Sequence, residues 1–77
     1  MLLTIEIKDA RNVNEAEAVI CFDDEGLESL IARLIRLRGK KGHEHLMTPA
    51  WAGDQLTDKK QGGDEFELIN HLRLVKK

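Results

Sequence analysis

A single cysteine, Cys21, in a chain of 77 residues excludes an internal disulfide. It sits inside an apolar run, where a small buried thiol in a reducing compartment is the ordinary expectation. Aromatic residues are nearly as scarce, with one tryptophan, two phenylalanines and no tyrosine, so the core must be mainly aliphatic. No apolar run approaches the roughly 18 residues that span a bilayer, and residues 1–8 lack the long apolar centre of an export signal. No membrane is expected as a partner, and the expected location is cytoplasmic. A basic excess is missing too: the formal net charge is −2, whereas nonspecific nucleic-acid binders carry a clear surplus of Lys and Arg to neutralise phosphates. No nucleic acid is expected as a partner.

What is present is the composition of a globular chain, 42% hydrophobic and 34% charged with one proline and six glycines, enough for one core and too little for two. Residues 1–77 are expected to form a single α+β domain. Leu3, Ile5 and Ile7 alternate with Thr4, Glu6 and Lys8, the period-2 pattern of a strand with one buried and one wet face. A polar stretch, residues 9–15, leads to a second apolar run, residues 16–22, with β-branched members and too short for a helix. The two pair most simply as an antiparallel hairpin. Leu27, Leu30, Ile31, Leu34 and Ile35 then fall at i, i+3, i+4, i+7 and i+8, one apolar stripe on a helix. Asp23 is its expected N-cap, Asp24 and Glu25 suit the positive end of the helix dipole, and Gly39 is placed to stop it after Arg36 and Arg38. Residues 42–48 read as a third strand and residues 66–75 as a fourth, with Phe66, Leu68, Leu72 and Leu74 on one face. The expected fold is α+β, ββαββ, with one amphipathic helix packed on a four-stranded, mainly antiparallel sheet.

Residues 49–63, between the last two strands, exceed the roughly 12 residues usual for a connection in a compact domain, and such loops are commonly functional. The only tryptophan, Trp51, lies there. Tryptophan is the type most enriched at interface hot spots, yet a loop tryptophan also closes the edge of a core short of aromatics, and both readings stand. Asp54 and Asp58 in this loop, with Asp23, Asp24 and Glu25 at the helix start, form an acidic set that would steer a basic partner. Catalytic machinery is not apparent. Cys21 lies in an apolar run, Ser29 has no local signature and Gly39-Lys40-Lys41-Gly42 lacks the phosphate-loop spacing. Neither enzyme activity nor a cofactor is expected. His43 and His45 share a strand face that His71 joins if its strand is adjacent. Three imidazoles would suit zinc, but wet strand histidines without a metal-binding pattern are usually solvated, and no metal is expected.

The segment His-Glu-His-Leu-Met-Thr-Pro-Ala-Trp-Ala-Gly-Asp-Gln-Leu, residues 43–56, is followed by Gly62-Gly63 and by Leu68-Ile69-Asn70-His71-Leu72-Arg73-Leu74. Together they resemble the Immunity protein 32 family of bacterial polymorphic toxin systems. The helix start Asp24-Glu25-Gly26-Leu27, with Leu30 and Leu34, follows the same style, so the resemblance covers most of the chain from Phe22 onward. It implies an α+β protein with a characteristic tryptophan, here Trp51, that binds a cognate toxin in the cytoplasm and blocks it by occlusion, with no catalytic residues of its own. The expected function is therefore a protein-binding module that neutralises a bacterial toxin, with Trp51, Asp54, Asp58, Asp23, Asp24 and Glu25 as contacts. The alternative is a small structural or regulatory domain that homodimerises through an exposed sheet edge.

Overall fold

A computed structural model describes all 77 residues. In chain order the elements are β1 (Leu3–Lys8), β2 (Glu17–Phe22), α1 (Asp24–Ile35), β3 (Gly42–Met47), a 3-10 turn (Pro49–Trp51), β4 (Phe66–Leu68) and β5 (His71–Lys76). They form two sheets, β2-β1-β4 and β3-β5, with every neighbouring pair antiparallel. The α+β class and the β1–β2 hairpin agree with the sequence reading. The single four-stranded sheet and its ββαββ order do not.

The split has a local cause at Ile69 and Asn70. The Ile69 N–H donates to the Ile5 carbonyl at 2.8 Å and extends the ladder with β1, whereas the Asn70 carbonyl accepts from the Thr48 N–H at 3.0 Å. The Thr48 hydroxyl also donates to Asn70 Oδ1 at 2.7 Å, latching the end of β3 to the start of β5. Side-chain parity slips by one residue across this bend. Phe66 and Leu68 stand opposite Lys8 and Glu6 of β1, while Ile69, Leu72 and Leu74 pack against the core.

That core is Leu3 and Ile5 of β1 with Leu46 and Leu56, and Leu30 of the helix packs against it. It joins the two sheets, and each such aliphatic side chain contributes roughly 1.5–3 kcal/mol on burial. The other side of β1 is not wet as its alternation suggests: Thr4 and Glu6 are fully buried. The long connection after β3 covers them. Its Leu56 N–H donates to the Met47 carbonyl at 3.1 Å and its Thr57 N–H to the Leu3 carbonyl at 2.7 Å. Farther along, the amides of Gln61 and Gly62 donate to the Glu6 carboxylate at 2.9 and 2.8 Å. Cys21, paired with Thr4 in the hairpin, is only partly buried.

Asp23 caps α1, its Oδ1 accepting from the Gly26 N–H at 2.8 Å. The helix ends at Ile35 and tightens through Leu37 N–H to Leu34 and Arg38 N–H to Ile35 before Gly39 takes a φ of 78°. Gly39 thus ends the turn as expected, one turn beyond the regular helix. The side that meets the fold carries Gly26, Leu30, Arg33 and Leu37, and Arg33 and Arg36 approach Glu44 of β3 at 3.6 and 3.5 Å. The expected apolar stripe therefore meets the core only through Leu30. Leu27 and Ile31 remain 37% exposed and Leu34 and Ile35 49%, because the helix is rolled onto its glycine side. No helix is long and apolar enough to cross a membrane.

Candidate partner-binding surface

Alternation along β3 and β5 sends Glu44, Leu46, Leu72 and Leu74 toward the helix and core. Register puts His43 opposite Val75, His45 opposite Arg73 and Met47 opposite His71 on the outward side. The 3-10 turn lays Trp51 at the end of this row. Thr48 starts it by accepting from the amides of Trp51 and Gly53 at 2.9 and 3.0 Å, and Ala52, at a φ of 62°, donates to Pro49 at 2.9 Å. Gly53 is required because a Cβ there would lie 2.5 Å from the Met47 carbonyl oxygen. Gln55 completes the tie, its Oε1 accepting from the Met47 N–H at 3.0 Å.

The result is a run of rings. Trp51 lies 5.6 Å from His71 between centroids, His71 and His45 lie 5.0 Å apart with their planes within 24°, and His45 meets His43 edge-on at 4.8 Å. Nδ1 of His45 and Nε2 of His71 are 2.7 Å apart, so one nitrogen donates and the other must be a neutral acceptor. Partial desolvation of the ring, followed by the charges of His43, His71 and Arg73, holds His45 below the usual histidine value, against an opposing pull from Glu44. A group depressed in this way leaves the unfolded chain the better proton acceptor, so stability falls as pH drops through the unfolded value of about 6.5. In an NMR titration the His45 ring should reach its midpoint below that value, and Arg73→Ala should move the midpoint upward. The sequence reading placed the three histidines on one face correctly, but no group of three His, Cys, Asp or Glu side chains is arranged to hold a metal ion.

The acidic candidates are distributed along an adjoining edge. Asp23 and Glu25 lie 4.0 and 3.6 Å from the Met1 ammonium. Backbone hydrogen bonds from Leu2 and Gly26 hold the Asp23 carboxyl below its ordinary range. Asp24, Asp54 and Asp58 are exposed, and Asp54 accepts from the Gln55 amide at 2.9 Å. Hydrogen bonds from Leu56 to Met47, Thr57 to Leu3 and Asp23 to Leu2 link these positions in succession, so the loop carries its acids from the Trp51 turn toward the helix start. Arg73 and Met47 were not foreseen as members of this face. Their period-2 spacing from His71 and His45 was visible, but the register that brings β5 beside β3 was not.

Two surface concavities hold about 340 and 380 Å3, one beside Leu34, Leu37 and Leu74 and the other beside Asp9, Arg11, Glu65 and Glu67. Neither is lined by Trp51 or the histidines. An open aromatic and polar face on a small α+β scaffold, whose tryptophan and histidines line neither concavity, is the kind of surface that meets another macromolecule rather than encloses a small substrate. The chain belongs to the Immunity protein 32 family, whose model matches residues 17–72 and so takes in β2, α1, β3, the Trp51 turn and β4. Immunity proteins of this kind are not in general enzymes, and membership suggests a role in immunity to a toxin. No curated protein and no solved structure matches the chain.

Proposed function

We propose that this protein is the cytoplasmic immunity partner of a bacterial toxin and that it binds the toxin through the surface centred on Trp51, blocking it by occlusion. The observation that carries the reading is that Trp51 is 54% exposed although its backbone is tied down on both sides. A large aromatic held in place in the free protein loses little conformational freedom on binding, which is how interface anchors yield affinity. His71, His45 and Arg73 extend the face, and Asp54 and Asp58 set a negative edge beside it that would speed encounter with a basic toxin.

The test is co-purification of the tagged protein from its native host, with and without Trp51→Ala, with the retained partner identified by mass and then titrated by calorimetry. One stoichiometric toxin is expected, bound about 30-fold more weakly by Trp51→Ala, or roughly 2 kcal/mol as for an interface hot spot. Thermal melting should be unchanged, since Trp51 lies outside the core. Asp54→Ala with Asp58→Ala should slow association and flatten its salt dependence while leaving dissociation nearly unchanged. An identified toxin bound equally well by Trp51→Ala would remove that residue from the interface. Self-association alone, with no toxin, would favour the small structural dimer.

A further inference from the structure

Six apolar side chains, Ile20 and Phe22 of β2 and Leu27, Ile31, Leu34 and Ile35 of α1, are each between 37% and 49% exposed. They are contiguous in the fold. Ile20 and Phe22 pair with Ile5 and Leu3 and so share the side of the sheet on which the helix rests, leaving the outer flank of α1 and the neighbouring strip of β2 open together. Their open surface is on the order of 500 Å2, near the top of the range a monomer shows in one patch. It lies on the helix side of the molecule, whereas Trp51 and the histidines occupy the outward side of β3 and β5.

We propose that this face binds a second copy of the chain, in a two-fold arrangement that sets two α1 helices antiparallel about Ile31. The positions along the flank are self-complementary under that operation. Leu27 lies four residues before Ile31 and Ile35 four after; Asp24 lies seven before and Arg38 seven after. Spacings of three and four keep Asp24, Leu27, Ile31 and Ile35 on one flank of the helix, and Arg38, three residues after Ile35 in the 3-10 turn that prolongs it, lies over Ile35 because i and i+3 eclipse there. A two-fold axis at Ile31 therefore brings Leu27 of one protomer opposite Ile35 of its partner and Asp24 opposite Arg38, twice each, as an isologous contact demands. Neither Asp24 nor Arg38 has an ion-pair partner within its own chain, so both are free to make the pair. Two patches closing on each other bury on the order of 1,000 Å2, the lower limit for a specific protein interface. The dimer is accordingly of moderate affinity, and it leaves the Trp51 face of each copy uncovered.

Sedimentation of the full chain across a concentration series tests this. A monomer–dimer equilibrium in the micromolar range is expected. Ile31→Glu, at an exposed position that leaves the core intact, should raise the dissociation constant about 100-fold, while Trp51→Ala leaves it unchanged. Asp24→Arg and Arg38→Asp should each weaken the dimer about tenfold, and the double variant, which restores opposite charges across the axis, should recover most of the loss. A chain that remains monomeric at millimolar concentration overturns the proposal, as does a dimer indifferent to Ile31→Glu or a double variant no better than the single ones. If the chain is monomeric and Ile31→Glu instead abolishes capture of a toxin, the face belongs to the toxin and the dimer is overturned, whichever surface Trp51 serves.

Discussion

Glu6→Ala is expected to unfold a large share of the protein at neutral pH. The Glu6 carboxylate is fully buried in the middle of β1. It accepts from the Thr4 hydroxyl at 2.7 Å and from the backbone amides of Gln61 and Gly62 at 2.9 and 2.8 Å. Truncation leaves the buried Thr4 hydroxyl and the part-buried amides of Gln61 and Gly62 without their acceptor, and a buried donor stripped of its acceptor costs about 1–3 kcal/mol. A domain of this length holds only roughly 3–5 kcal/mol in total, so the loss consumes most of the margin even if water reaches one of the three. Glu6→Gln is the informative companion. It keeps the shape and one acceptor but turns an NH2 group toward a donor, and its urea midpoint should fall between those of the other two proteins.

The same carboxylate makes stability depend on acidity. Burial pushes its pKa up, but the Thr4 hydroxyl, the two amides and the Cys21 thiol together outweigh burial and hold it below its ordinary 4.5. In the interval between the depressed folded value and the ordinary unfolded one, the unfolded chain binds more protons. The contribution of Glu6 is therefore complete above about pH 4.5 and is lost as pH falls through the folded value. Urea midpoints measured from neutral to acidic pH should drop steeply for the natural protein and more gently for Glu6→Gln.

Gly26→Ala should also destabilise strongly, although helix propensity alone argues the reverse. Alanine is favoured over glycine inside a helix by about 1 kcal/mol. Against this, a Cβ at position 26 would lie 1.8 Å from the carbonyl oxygen of Leu2 and 3.1 Å from the Cβ of Phe22. A backbone oxygen cannot swing aside like the tip of a side chain, so the helix must lift or the start of β1 must shift. Either movement strains the hydrogen bond from Asp23 to Leu2. Overpacking of this kind costs about 1–3 kcal/mol and occasionally more; with a backbone oxygen as the obstacle the cost falls at the upper end, and after the propensity gain a net loss of about 2 kcal/mol is expected, which lowers the melting temperature by roughly 10 °C in a domain of this size. A melting temperature that rises instead would show that the helix does not rest on Leu2. Ser29→Ala, in the same helix but partly exposed, should change little.

These two residues also mark where the sequence was readable and where it was not. The alternation in β1, the hairpin, the Asp23 cap and the Gly39 stop are local events, decided by neighbours within a few positions, and all were legible. Glu6 was read as wet because its alternation is perfect. Only the return of Gln61 and Gly62 some 55 residues later buries it. The helix had a clear apolar stripe, but Gly26, a residue without a side chain, selected the face that docks. The division into two sheets was hidden because Ile69, which takes up the parity slip, is as apolar as Leu68 before it and Leu72 beyond Asn70 and His71. At the candidate surface, the spacing of His43 and His45 was sufficient to align them, while the approach of Trp51 to His71 depends on a turn whose geometry is not periodic.

The central position of β1 has a further consequence for how the protein comes into being. Its first partner, β2, follows it after one short connection, but the groups that satisfy its other edge and second face, from Leu56 to Ile69, come far later in the chain. Until then the nascent chain carries an unpaired strand edge and an uncompensated carboxylate, and a hairpin alone is marginal in water. A product that stops short of Ile69 would thus be a substrate for proteases rather than a weaker version of the folded protein.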